Sequence, residues 1–166
     1  MRTKISVINQ IQIDFIKEIQ KDINHSQSAA SIPFIKYPKD YTFRERPVVT
    51  KFFLKPVVIM VPHKQFPGIS MNCLQCNDTY KPVGWPTNPV ARYMHGLNYG
   101  SYILQYRYSC QCGSVDSTVI QNLLSICRHL YPVETFTKKS AVDKDLMVYI
   151  TSDATTGNIS LILKTI

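Results

Sequence analysis

The feature that most constrains this chain is a pair of close cysteine doublets, Cys73-Leu-Gln-Cys76 and Cys110-Gln-Cys112. A two-residue gap lets a tight turn present two thiolates to one tetrahedral ion, and two such turns a few dozen residues apart can form a split zinc site. The one-residue gap of the second doublet is tighter than usual. It makes Cys110 the firmer ligand and Cys112 the weaker, with His95 and then His63 in reserve. The chain has five cysteines, an odd number that suits metal ligation in a reducing compartment better than a disulfide framework.

Two other uses of the doublets fit less well. A thioredoxin-like couple wants its cysteines at the start of a helix, where the helix dipole lowers a thiol pKa. Cys73 and Cys76 are instead flanked by Asn72 and Asn77-Asp78, with prolines and no helical period after them. A zinc deaminase needs a His-x-Glu whose glutamate moves protons. The chain has none, and its glutamates are only Glu18, Glu45 and Glu134. Four thiolates would close the coordination shell, which makes Zn2+ a structural cofactor here and the chain more non-catalytic than enzymatic.

A chain of 166 residues, 45% apolar and 18% charged, is long enough for one domain with a real core. Its net charge of +8 attracts polyanions, so DNA or RNA is a candidate partner. Lys81, Arg92 and Arg107 are candidate phosphate contacts, as are Arg44 and Arg46 in the aromatic and basic stretch 37–46. Trp85 and exposed tyrosines could stack on bases, but Trp85 reads better as core or as a cover for the metal site. Arg107 reads equally well as an ordinary cation on a polar strand face. No phosphate-binding loop, nucleophile elbow or dinucleotide fingerprint occurs. Asp116, Asp143, Asp145 and Asp153 could hold Mg2+ for a nuclease, yet Asp143 and Asp145 stand two apart on an expected helix and read better as caps or solvated positions. No secretory or transit signal opens the sequence, and no apolar run approaches the ~18 residues of a membrane span. These features point to an intracellular protein without a membrane partner.

The remaining pattern gives elements. Over 6–23, Ile8, Ile11, Phe15, Ile19 and Ile23 recur at spacings that predict an amphipathic helix. Residues 24–47 read as a linker or extended arm, and 48–166 as the zinc-binding domain. Within it, 52–62 predicts a buried strand that Pro56 pushes to an edge or a bulge. After a turn-rich stretch, 63–98, residues 99–110 alternate with period two, placing Tyr102, Leu104, Tyr106 and Tyr108 on an apolar face and Ser101, Ile103, Gln105, Arg107 and Ser109 on a mostly polar one. Asp116 or Ser117 caps an expected helix carrying Ile120, Leu123, Leu124, Cys127 and Leu130 and stopped by Pro132. A second helix is expected over 140–150, with Val142, Leu146, Met147 and Ile150 facing inward. The final ISLILKTI reads either as an edge strand or as a truncated end. The expected fold is α+β: a small antiparallel sheet with a zinc-ribbon-like four-cysteine site, flanked by helices.

Cys73-Leu-Gln-Cys76, then Gly84-Trp85-Pro86-Thr-Asn-Pro89-Val-Ala-Arg92, then Tyr102-Ile-Leu-Gln-Tyr106-Arg107-Tyr108-Ser-Cys110-Gln-Cys112, then Tyr131-Pro132, follow one another over about 52–150. In this order they resemble a cysteine-containing domain of unknown function that precedes the transposase core in KDZ-type DNA transposons and recurs in transposon-derived eukaryotic proteins. The tyrosine-rich strand ending in cysteine is the specific portion. Tyr131-Pro132 stands where the family has Phe-Pro, the Cys-Gln-Cys gap is short, and no transposase core follows in this chain. The resemblance implies a non-catalytic zinc-binding accessory domain, working beside a downstream transposase or nuclease-like domain or protein and compatible with a nuclear location. The competing reading is a protein-interaction or scaffold domain that docks a partner through the 6–23 helix and binds no nucleic acid.

Overall fold

The computed structural model describes residues 10–26, 28–38, 54–73, 75–87, 90–113, 115–117, 128–136 and 140–154. Arg44, Arg46 and the expected core positions Ile120, Leu123, Leu124 and Cys127 lie outside them. The chain order is α1 (Gln10–His25), β1 (Ile35–Lys36), β2 (Val57–Met60), α2 (Pro62–Gln65), β3 (Lys81–Gly84), β4 (Arg92–His95), β5 (Ser101–Gln105), β6 (Arg107–Ser109), β7 (Val115–Ser117), β8 (Val133–Phe136), β9 (Ser140–Asp143) and α3 (Lys144–Ala154), with single 3-10 turns at Ala29–Ser31 and Arg128–Leu130. The fold is α+β. A six-stranded mixed sheet runs β1-β2-β5-β4-β9-β8, and a small sheet runs β3-β6-β7. The small sheet is wholly antiparallel, while β2 lies parallel to β5 and β4 parallel to β9 in the large one.

The large sheet is covered on both faces. Odd positions of β2 and even positions of β5, Val57, Ile59, Tyr102 and Leu104, pack with Ile16, Ile19 and Ile23 of α1. The alternate positions, Val58, Met60 and Ile103, pack on the other side with Met71, Cys73, Tyr80, Cys110 and Tyr131. All of β2 is therefore buried, as an apolar run without alternation requires. Pro56 is just outside it and accepts a hydrogen bond from the Tyr102 N–H at 2.9 Å, so β2 sits inside the sheet and not at the expected edge. At the start of a strand a proline removes no ladder donor.

The helix α1 buries Gln12, Ile16, Ile19 and Ile23, a stripe rotated slightly from the expected one. The Gln12 side chain is held like a strand residue: its Nε2 donates to the Lys55 carbonyl at 3.2 Å, and its Oε1 accepts from the Lys55 N–H at 2.8 Å. Lys64 Nζ donates to the Ile23 carbonyl at 2.7 Å, placing a cation at the helix C-terminus, where the macrodipole is negative. The stretch read as an arm contributes to this packing through the buried Ile32 and through β1.

Two local expectations are corrected. The 99–110 strand is not half-buried: it divides at Tyr106 into β5 and β6, which belong to different sheets, and Ser101 and Gln105 on its polar face are buried. Asp116 and Ser117 lie on β7, paired with β6, and the helix expected after them lies outside the described residues. Residues 140–143 form β9 beside β4, since Ala141 and Val142 fill the large sheet. The helix α3 begins only afterwards, with Asp143 as its cap, Oδ1 accepting from the Leu146 N–H at 2.7 Å.

Candidate metal centre

Two turns are brought together by the small sheet. In the first, an isolated bridge pairs Asn72 with Thr79, and Cys73 N–H donates to the Asp78 carbonyl at 2.8 Å while its own carbonyl accepts from the Asn77 N–H at 2.8 Å. Asn77 takes φ 58°, a left-handed conformation that asparagine tolerates better than most residues. The second turn joins β6 to β7, closed by Gly113 N–H on the Cys110 carbonyl at 3.2 Å, with Gly113 at φ 82°. β3 starts directly after Tyr80 and pairs Lys81 with Ser109, so the end of the first turn is tied in register to the residue before Cys110.

The four sulfurs of Cys73, Cys76, Cys110 and Cys112 all lie within 4.8 Å of one another. Cys73 Sγ is 3.8 Å from Cys112 Sγ, and Cys76 Sγ is 3.7 Å from Cys110 Sγ. A tetrahedral ion with sulfur at about 2.3 Å has sulfur–sulfur edges of about 3.8 Å, whereas a disulfide brings sulfurs to about 2.05 Å. The cluster has the size of a coordination shell and holds no disulfide. It can hold a metal ion, and Cys112, the weaker candidate from spacing, belongs to it. Among the described residues it is the only group of three or more potential ligand side chains.

Electrostatics make the same demand. The N–H groups of Cys76 and then Gln75 donate to the Cys73 sulfur and bring its thiol down to about 6, with help from the Tyr80 hydroxyl and against the effect of burial. At Cys76 the Asp78 N–H favours the thiolate, but burial and the sulfurs of Cys112, Cys110 and Cys73 outweigh it and push the thiol up to about 12. Four thiolates in so small a volume repel one another unless a cation lies between them.

Compared with protein-family models, curated proteins and solved structures, the chain matches none.

The reserve histidines are elsewhere. His95 packs edge-on against Tyr93 at 4.9 Å, and burial lowers its pKa. His63, on α2, lies with Nδ1 2.6 Å from the Tyr108 hydroxyl and its ring centroid 4.8 Å from that of Tyr106. Burial, with Lys64 beside it, lowers its pKa from 6.5 to about 4. The unfolded chain thus takes up this proton at a higher pH than the folded one. Stability from this group is complete above about pH 6.5 and falls as the pH drops toward 4. Urea midpoints at pH 7 and pH 5 should differ less in His63→Gln than in the native chain; an equal difference would remove His63 as the cause.

Lys81 is exposed on β3, and Arg107 lies half-buried on β6. Tyr108 points into the core, so Arg107 and Ser109 share the opposite face, and Lys81, paired with Ser109, shares it too. The Arg107 Nε is buried without a hydrogen-bond partner. Arg92 is on β4 of the large sheet, where burial lowers its guanidinium pKa. Trp85 Nε1 donates to the Asn24 side-chain oxygen at 3.1 Å, and its ring meets Tyr106 at 4.7 Å, on the α1 side of the sheet. Spacing alone did not single out Tyr80, which supports Cys73, or Gln75, whose Oε1 is 3.8 Å from Cys112 Sγ. Asn77-Asp78 directly after Cys76 was the one available signal, as a turn pair that closes the first doublet.

No helix of the described residues is long and apolar enough to cross a membrane.

Proposed function

We propose that the chain is a zinc-stabilised, non-catalytic module that binds nucleic acid, with a zinc-ribbon-like arrangement in which two cysteine turns grip one ion. The observation that carries the zinc reading is the pair of sulfur–sulfur separations, 3.8 and 3.7 Å, which match the edges of a zinc–thiolate tetrahedron. A hard cation such as Mg2+ or Ca2+ prefers oxygen, and four thiolates select a softer ion. With four protein ligands no coordination position remains for water or substrate, so the ion's work is to hold the two turns together. Elemental analysis of protein purified without added metal should find one zinc per chain, and finding none would sink this reading.

The nucleic-acid part rests on the net charge of +8 and on Lys81 and Arg107 sharing one face of the sheet that carries the centre. Contacts of this type are phosphate contacts, which release counterions. Binding to a DNA or RNA oligonucleotide should weaken as salt rises, with a log–log slope of about −2 lost when Lys81 and Arg107 are both replaced by alanine. Fluorescence anisotropy showing no binding at low salt would favour the scaffold reading. The resemblance to the KDZ-type accessory domain supports this reading, and implies a transposase or nuclease-like partner beside the module.

A further inference from the structure

The four sulfurs are unequally protected. Cys73 and Cys110 are buried, Cys76 is half-buried, and Cys112 is exposed. Cys112 also stands in a turn whose Gln111 and Gly113 are exposed, so solvent reaches its sulfur. Its sulfur lies 3.8 Å from that of Cys73, which comes from the other turn and is held in place by backbone donors and Tyr80. A bridge within Cys110-Gln-Cys112 would have to close over one residue, a strained geometry, whereas Cys73 and Cys112 face each other across the centre.

Building on the zinc reading above, we propose that Cys112 is the oxidation-sensitive ligand of the centre, and that a hydroperoxide converts Cys73 and Cys112 to a disulfide with release of the metal. The Cys112 thiolate attacks one peroxide oxygen, the O–O bond breaks, and two electrons pass from sulfur to peroxide. One proton from solvent completes the leaving water or alcohol, and Cys112 is left as a sulfenic acid. The Cys73 thiolate then attacks Cys112 Sγ. The S–S bond forms, the S–O bond breaks, and the hydroxyl leaves as water with a second proton. Cys76 and Cys110 stay reduced, and two thiolates do not complete a tetrahedral shell.

The experiment uses the full chain loaded with zinc, its metal content measured first. Hydrogen peroxide is added while a chromogenic chelator follows released zinc, and the bridge is located by peptide mapping without reduction. One zinc should be released per bridge formed, and the bridge should join Cys73 to Cys112. Sub-stoichiometric maleimide on the native protein should mark Cys112 before the other three ligands. Cys112→His keeps a nitrogen ligand but removes the oxidisable sulfur, and should slow release at least about tenfold. A bridge between another pair, a different cysteine marked first, or native-rate release from Cys112→His overturns the proposal. A chain that takes up no zinc refutes the metal reading instead, and the mapped bridge and the maleimide order then still decide which sulfur reacts.

Discussion

On the proposed zinc reading, a strong chelator should lower the thermal midpoint sharply, and adding zinc back should restore it. Structural zinc contributes about 10–16 kcal/mol to folding in isolated zinc-finger peptides. The effect here is expected to be smaller but to exceed about 3 kcal/mol, because part of the chain has an apolar core of its own while the small sheet depends on the centre. The loss should also be local. Cys73 and Cys110 pack in one cluster with Tyr80, Tyr108 and Ile103, whereas Val57, Ile59 and Leu104 pack against α1 on the other face. Hydrogen exchange after metal removal should therefore accelerate first in β6 and around Cys73, and last in β2 and α1. Cys73→Ser should reproduce the metal-free pattern. A midpoint unchanged by both treatments would mean that the sulfur cluster does not support the fold.

The second large effect is expected at Gln65, far in sequence from either cysteine turn. Its side chain is buried at 8% exposure and ties three segments together. Its Oε1 accepts from the Val61 N–H at 2.9 Å and from the Tyr131 hydroxyl at 2.7 Å, and its Nε2 donates to the Ile59 carbonyl at 3.2 Å. Gln65→Ala removes the side-chain partner of the Val61 N–H and the Ile59 carbonyl and one hydrogen bond of the Tyr131 hydroxyl, each costing about 1–3 kcal/mol in the interior, so a total near 3–5 kcal/mol is expected after partial relaxation. Tyr131→Phe removes one bond and should cost about 1 kcal/mol. The two substitutions share a bond, so the double variant should be less destabilised than the sum. Denaturant midpoints decide this; a cost below about 1 kcal/mol for Gln65→Ala would mean that water replaces the lost contacts.

Where the sequence could be read, one local signal was enough. The isoleucines of α1 recur at helical spacing whatever they pack against, and a Cys-x-x-Cys turn has its own local geometry. It could not be read where a distant partner decides. Ser140-Ala-Val-Asp143 fits a helical stripe with Leu146, but pairing with β4 makes it a strand. The alternation read over 99–110 holds only as far as Tyr106, beyond which Tyr108 joins the face opposite Leu104, and alternation cannot reveal that the polar face is also covered, by residues as remote as Met71 and Tyr131. Gln12 and Gln65 carry no signal at all, because a buried amide is recognisable only from the backbone groups it meets.

The continuity of β5 and β6 limits how this chain can change length. Leu104 faces α1 and Tyr108 faces the sulfur side, with only Tyr106 between the two strands. Side chains reverse face at every residue of a strand, and Tyr108 and Cys110 share the sulfur side, so inserting or deleting a single residue between them would turn the ligand away from its three partners. Relatives of this chain should therefore keep the spacing between Tyr108 and Cys110.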